Sequence, residues 1–210
     1  MAQERYIAVY PPALKLPAGG NPATHALEQG MAAWSQQLQQ WLSQEVSKIL
    51  GQATDHGQQI DALENVGKIK ARAYRNAAQN IDASGYTKVA IDTVSFDTES
   101  VADVTTNNRI TPTLPGYYHV TGNVCAIGVP DGERVTAWIY KNGSRVSVGS
   151  YGLRQGAGGY AVSITSDLIY MNGTTDYLEL YAQNTHSSAL ALYVGGTISA
   201  YNYLSVLGPF

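Results

Sequence analysis

The chain of 210 residues has one cysteine, Cys125, so no disulfide can close within a single copy, and no Cys/His grouping has the spacing of a zinc site. Cys125 falls inside an apolar strand and reads as a small buried residue. Only 14% of the residues are charged and the formal net charge is -3. A nucleic-acid surface needs clustered Lys and Arg to displace counterions from phosphates, so that class is set aside. No run of about 18 apolar residues occurs, which excludes a helical membrane span. The opening MAQERYIAVYPPALKLP has no basic region followed by an unbroken apolar core. No Sec-type signal peptide is therefore expected, and the chain is expected to be soluble as made in a cytoplasm.

Catalytic patterns are missing too. No G-x-S-x-G nucleophile elbow is present, and His119 and His186 lie in separate β segments. Asp92, Asp97, Glu99 and Asp103 fall where a strand gives way to a polar loop and read as solvated acids. They form neither a glycosidase pair nor the D-x-D-x-D-G order of a calcium loop. No enzyme activity, metal or cofactor is expected.

What is present is tyrosine, glycine and a change of period along the chain, with 15 Tyr and 21 Gly. Residues 111–127, TPTLPGYYHVTGNVCAI, open with a Pro-x-x-Pro-Gly turn and continue as a strand. Tyr118, Val120, Val124 and Ala126 share one face, and Tyr117, His119, Thr121 and Asn123 the other. Further strands are expected over 88–96, 109–111, 134–141, 145–150, 160–169, 176–182, 189–194 and 197–207. Asn142-Gly143 between two alternating runs is a hairpin signal, because both residues accept positive φ. Asn172-Gly173 marks a second tight turn, so both Asn-Gly-Ser/Thr triplets read as turns and not as glycosylation sites. This spacing of short strands predicts a sandwich or jelly roll over 85–210. Ala137, Ile139, Val162, Ile164, Leu178, Leu180, Ile198 and Leu204 are its expected core.

Before the strands the period is helical. Leu27, Met31, Trp34, Leu38 and Trp41 fall at 4-3 spacing, which then shifts by one to Leu42, Val46, Ile49 and Ala53. This is the narrow seam of a coiled coil. The rhythm resumes weakly at Ile60 and Leu63 and predicts a second helical stretch to about residue 80. The cations Lys68, Lys70, Arg72 and Arg75 would then complement the dipole of its last turns. Residues 23–84 are accordingly read as an α-helical coiled-coil stalk. Residues 1–22 carry four prolines and an apolar burst at Tyr6, Ile7, Val9 and Tyr10, continued by Leu14 and Leu16. Such a segment is extended, and reads either as a tail or as an anchor that orders on another protein.

The runs Ile110-Thr111-Pro112 and Pro115-Gly116-Tyr117-Tyr118-His119-Val120, with TAWIYKNG at 136–143, TDYLELYAQN at 175–184 and the closing GGTISAYNYLSVL, resemble the complement globular-head/tumour-necrosis-factor jelly roll. The resemblance covers residues 88–207. It implies a ten-strand sandwich that assembles as a tight homotrimer, with a stalk on one side and recognition surfaces at the far end and flanks. The chain departs from those relatives in having no collagen repeat. An anchor, a coil and a β head together resemble bacteriophage fibre and spike proteins.

Three sets of residues are assigned on these grounds. The aromatic partners of the core, Trp138, Tyr140, Tyr177, Tyr181, Tyr201 and Tyr203, are expected on one sheet face buried between subunits. Asp131, Glu133, Tyr151, Arg154 and Tyr160 are expected in receptor-binding loops. The anchor is expected to bind other virion proteins, of capsid, neck or tail. The expected function is thus a homotrimeric virion fibre, as a tail fibre binding a host-surface glycan or protein, or as a head fibre on the capsid. A bacterial surface or spore-coat adhesin is the alternative.

Overall fold

The computed structural model describes residues 24–150, 159–195 and 201–210, with side chains from residue 30 onward except that of residue 62. The expected anchor residues Tyr6, Ile7, Val9, Tyr10, Leu14 and Leu16, the loop residues Tyr151 and Arg154, the side chain of Leu27, and Ile198 lie outside this description. The chain divides into two compact units, Met1–Ala62 and Leu63–Phe210.

Helix α1 runs Thr24–Asn65, 42 residues, about 60 Å at 1.5 Å per residue. Gly51 and Gly57 do not interrupt it, although each costs about 1 kcal/mol relative to Ala. Its apolar seam is open: Val46, Ile49, Leu50 and Ile60 are all more than half exposed, while Trp34, Leu38 and Trp41 are half-buried. The helix ends where Gly67 takes φ +63, the left-handed geometry that closes a helix.

Beyond Gly67 the chain departs from the expected stalk. The second helical stretch to residue 80 does not form, and the β unit begins well before residue 85. Strands β1 (Ile69–Tyr74) and β2 (Asn80–Ile81) occupy that segment. Ile69, Ala71 and Ala73 are completely buried, so a period of two overrode the weak 4-3 rhythm. Lys70 and Arg72 consequently stand on the outer face of a strand and do not cap a helix.

The remaining strands are β3 (Tyr86–Lys88), β4 (Thr93–Asp97), β5 (Ala102–Asp103), β6 (Arg109–Ile110), β7 (Pro115–Val129), β8 (Val135–Lys141), β9 (Ser144–Val148), β10 (Gly159–Asn172), β11 (Leu178–Asn184), β12 (Leu190–Leu192) and β13 (Tyr203–Gly208). The first sheet has the order β2-β12-β7-β13-β1-β4, with β10 along the other edge of β7. The second has the order β5-β6-β11-β8-β9, with β3 also beside β11. The antiparallel pairs β1·β13, β6·β11, β7·β10 and β8·β9 nest one inside the next. That nesting is the winding of a jelly roll. The single strand expected over 88–96 is two strands, because the chain there leaves β11 in the second sheet for β1 in the first, burying Val89 and Ile91 on the way.

The core lies between the sheets. Ile69, Tyr118, Val120, Val124 and Leu204 of the first sheet meet Ile110, Ile139, Leu178 and Leu180 of the second. At Gly122 the layers approach so closely that an added Cβ would lie 2.7 Å from Leu180 Cδ1. At the β8–β9 hairpin, Asn142 and Gly143 both have positive φ, 53 and 75, as the sequence requires.

The expected face of β10 is reversed. Val162 and Ile164, expected in the core, are 51% and 48% exposed, and Ser163 and Thr165 point inward. The inner side is crowded and needs hydrogen bonds. Ser163 Oγ donates to the Ser150 carbonyl at 2.6 Å and accepts from the Ala137 amide at 2.9 Å. Thr165 Oγ1 lies 2.9 Å from Ser147 Oγ. Small hydroxylated residues fit there, and larger aliphatic ones are turned out.

Candidate functional site

The jelly roll offers two broad surfaces, one on the outside of each sheet, and their chemistry differs. On the first sheet, register sets Leu168 of β10 beside His119 of β7, and His119 beside Leu207 of β13. Tyr170 pairs with Tyr117 in the next row outward, their rings 5.4 Å apart. Tyr160, Val162, Ile164, Leu168 and Tyr170 alternate along β10, and all five are exposed. Phe96 and Leu207 extend the apolar area across β4 and β13. At its centre is a cavity of about 490 Å³ lined by Lys70, Arg72, Phe96, His119, Tyr203 and Leu207 among others. Exposed apolar residues in this number, set around a partly polar depression, mark an interaction surface.

The second sheet carries aromatic rings and cations. Tyr140 of β8 stacks on Tyr181 of β11, ring centroids 3.9 Å apart, and Trp138 meets the edge of Tyr86 at 5.7 Å. The Arg145 guanidinium lies over Tyr86 at 5.1 Å and over Trp138 at 5.5 Å, and donates to the Tyr86 hydroxyl at 3.0 Å. Arg109 lies over the Tyr177 ring at 4.4 Å. Trp138 Nε1 donates to Gln183 Oε1 at 3.2 Å. Burial pushes the Tyr140 and Tyr181 hydroxyls above their ordinary range, so both stay neutral donors at neutral pH.

The six aromatics expected on one face are therefore divided. Trp138, Tyr140, Tyr177 and Tyr181 belong to the second sheet, whereas Tyr203 lies on the outer face of the first and Tyr201 just precedes β13. Alternation alone could not tell which sheet a strand joins: β11 pairs with β8, but β13 pairs with β7 and β1. All six are half-buried against intramolecular neighbours, Tyr203 under Arg72 at 4.0 Å and Tyr201 against Tyr193 at 5.0 Å. The residues the sequence reading missed are Leu168, Tyr170, Tyr117 and Leu207 on the first sheet, and Tyr86, Arg145 and Arg109 on the second. The alternation of β10 signals the first group, once Ser163 and Thr165 are allowed inside.

Among the expected loop residues, Asp131 is exposed at the turn after β7, and Tyr160 is 56% exposed at the start of β10. The pairing of Gly159 with Val129 sets them at one end of the first sheet. Glu133 is engaged internally, accepting from Thr185 Oγ1 and lying 3.7 Å from His186 Nδ1.

The loop carboxylates are structural anchors. Burial alone would raise the Asp92 carboxyl, but the amides of Asn76 and Ala77 bond to it and hold it below its ordinary value. Asp103 is held far below it, chiefly by the Thr106 amide and the Asn107 side chain. Asp176 accepts from Lys141 at 2.8 Å and from Asn142 at 2.7 Å, and is lowered by them in that order. The buried Cys125 thiol is pushed up to about 11 and is no thiolate at neutral pH. Among the described residues, no group of three His, Cys, Asp or Glu side chains is placed to hold a metal ion.

No protein-family model matches the chain, and no curated protein matches it. Among solved structures it is similar to murine APRIL at pH 5.0, with TM-score 0.49, 8% identity, and 66% of this chain and 97% of that one covered. It is similar to the Eiger TNF of S. frugiperda, with TM-score 0.47, 11% identity, and 68% and 92% covered. It is also similar to the globular domain of zebrafish complement 1qA protein, with TM-score 0.45, 10% identity, and 66% and 95% covered. The jelly-roll assignment itself rests on the nested strand pairing.

Proposed function

We propose that the chain is a homotrimeric structural protein of a bacteriophage particle, a fibre or spike. Its helix forms a coiled-coil stalk, its N-terminal segment attaches to other virion proteins, and its β head faces outward for host-surface binding or capsid decoration. The observation that supports the assembly in this reading is that each unit, taken alone, leaves an apolar surface uncovered. On α1 it is the seam through Met31, Leu42, Val46, Ile49, Ile60 and Leu63, each 47% exposed or more. On the head it is the outer face of the first sheet. A seam one residue wide cannot pack on a globular core but suits identical helices in register. Joining both surfaces in one oligomer removes them from water together. The subunit contact in the head is accordingly assigned to Leu168, Tyr170, Tyr117 and Leu207, in place of the divided aromatic set.

Light scattering during size exclusion tests the assembly: the full chain is expected at three times its 22.5 kDa. A monomer at micromolar concentration overturns the reading. Location is tested by the protein content of purified phage particles from the source. Finding the chain on bacterial cells or spores and in no particle would establish the adhesin instead.

A further inference from the structure

If the first sheet faces a neighbouring subunit, the outer face of the second stays open, and its chemistry is specific. The guanidiniums of Arg145 and Arg109 lie on aromatic rings, and neither is within ion-pair distance of a carboxylate among the described residues. The other cations of this face are already matched: Lys88 bonds to Glu179 and Lys141 to Asp176. Arg145 uses one amino group on the Tyr86 hydroxyl, and its other N–H groups have no partner among the described residues. Arg109 Nε has no partner among the described residues but is itself buried, so it is not open to a ligand. The face is thus a set of rigid rings carrying two unpaired planar cations, with Gln183 held in place by the Trp138 N–H.

We infer that this face is a binding site for an acidic oligosaccharide, a chain of sugars bearing carboxylates. Sugar rings present C–H groups that settle on aromatic rings, and equatorial hydroxyls that planar polar side chains meet. Carboxylates match the guanidinium fork in two parallel hydrogen bonds, and a guanidinium already laid on a ring loses little freedom in making them. The excess of two unpaired positive charges selects an anionic polymer over a neutral one. The rings are locked by their neighbours, so little ordering is needed on binding. This inference rests on the reading of the head as a recognition module, and does not depend on which particle carries it.

The test uses the full chain and immobilised polymers: polygalacturonate, alginate and polysialic acid, beside fully methyl-esterified polygalacturonate, dextran and dextran sulfate. Binding to at least one carboxylated polymer is expected, at least tenfold stronger than to the esterified and neutral ones. Arg145→Gln, at an exposed position that leaves the fold intact, is expected to weaken it at least tenfold, and Arg145→Lys by less. Leu168→Ala on the opposite face is expected to leave the binding of each head unchanged, read at saturating protein on sparsely loaded polymer. Absence of binding to every carboxylated polymer overturns the inference. So does equal binding of the methyl ester, preference for dextran sulfate, or full binding by Arg145→Gln. The mass measurement is independent, so a trimer that binds no acidic polymer refutes this site alone, and a monomer that binds one refutes the assembly alone.

Discussion

Substitution of Leu168 separates the two outer faces as subunit contacts. Fully burying a leucine side chain stabilises by about 1.5–3 kcal/mol. Leu168 is 57% exposed in the single chain, so about 1–1.7 kcal/mol remains to be gained per copy on association. Over three copies that is about 3–5 kcal/mol, or two to three and a half decades in the trimer dissociation constant at about 1.4 kcal/mol per tenfold. Leu168→Ala forfeits most of this, and Leu168→Arg adds a buried unpaired charge costing several kcal/mol per copy. The fold of each head should be untouched, because substitutions at exposed sites cost within about 0.5 kcal/mol. Sedimentation velocity over a dilution series is the assay. Because the trimer dissociation constant scales as the square of concentration, Leu168→Ala should dissociate at protein concentrations roughly ten- to fiftyfold higher than the parent, and Leu168→Arg should be monomeric at micromolar concentration with an unchanged circular dichroism spectrum. Tyr181→Ala, on the second sheet, should leave the dissociation constant within a few-fold. A Leu168→Arg trimer as tight as the parent would refute the assignment.

The buried Asn202 holds two segments together, accepting from the Cys125 amide at 2.8 Å and donating to the Tyr193 carbonyl at 2.7 Å, with φ 47. Asn202→Ala leaves both groups unpaired and places Ala in the left-handed region. A loss of about 3 kcal/mol, or about 6–12 °C in melting temperature, is expected by calorimetry. Gly122→Val drives side-chain atoms into Leu180 and Thr165 and should cost about 1–3 kcal/mol, read as an earlier urea midpoint. Asp92 and Asp176 have folded pKa values below the ordinary 3.8, so the unfolded chain binds more protons and stability rises with pH through that range. Their contribution should be complete above about pH 5 and be lost as the pH falls through the depressed folded values. Asp176→Asn should flatten the acid limb of a melting-temperature profile.

The fold was legible wherever alternation and turn chemistry agree. The β7 face Tyr118, Val120, Val124 and Ala126 is fully buried, and Asn142-Gly143 closes its hairpin, because period two and positive φ are local requirements. The stalk boundary was not legible: Ile69, Ala71 and Ala73 are too short a run to outvote a helical rhythm until β13 and β4 pair on either side. The head surfaces were legible only in part. Tyrosines were recognised as surface-formers, but their division between two sheets and the outward turn of Val162 and Ile164 depend on partners distant in sequence.

The sequence by itself determined the helical period of α1, the alternation of β7, β8 and β11, the Asn-Gly turns, and an excess of aromatic side chains with nowhere local to go. Those features come from steric and hydrophobic preferences that act within a few residues. Only the tertiary structure decided which strands share a sheet, and so which side chains face together. Nested pairing of β1 with β13, β7 with β10 and β6 with β11 joins segments remote along the chain. That pairing gathers the exposed apolar residues of β10 on one sheet and lays Arg145 and Arg109 over the rings of the other, because a side chain's neighbours across a sheet are chosen by register and not by distance along the chain.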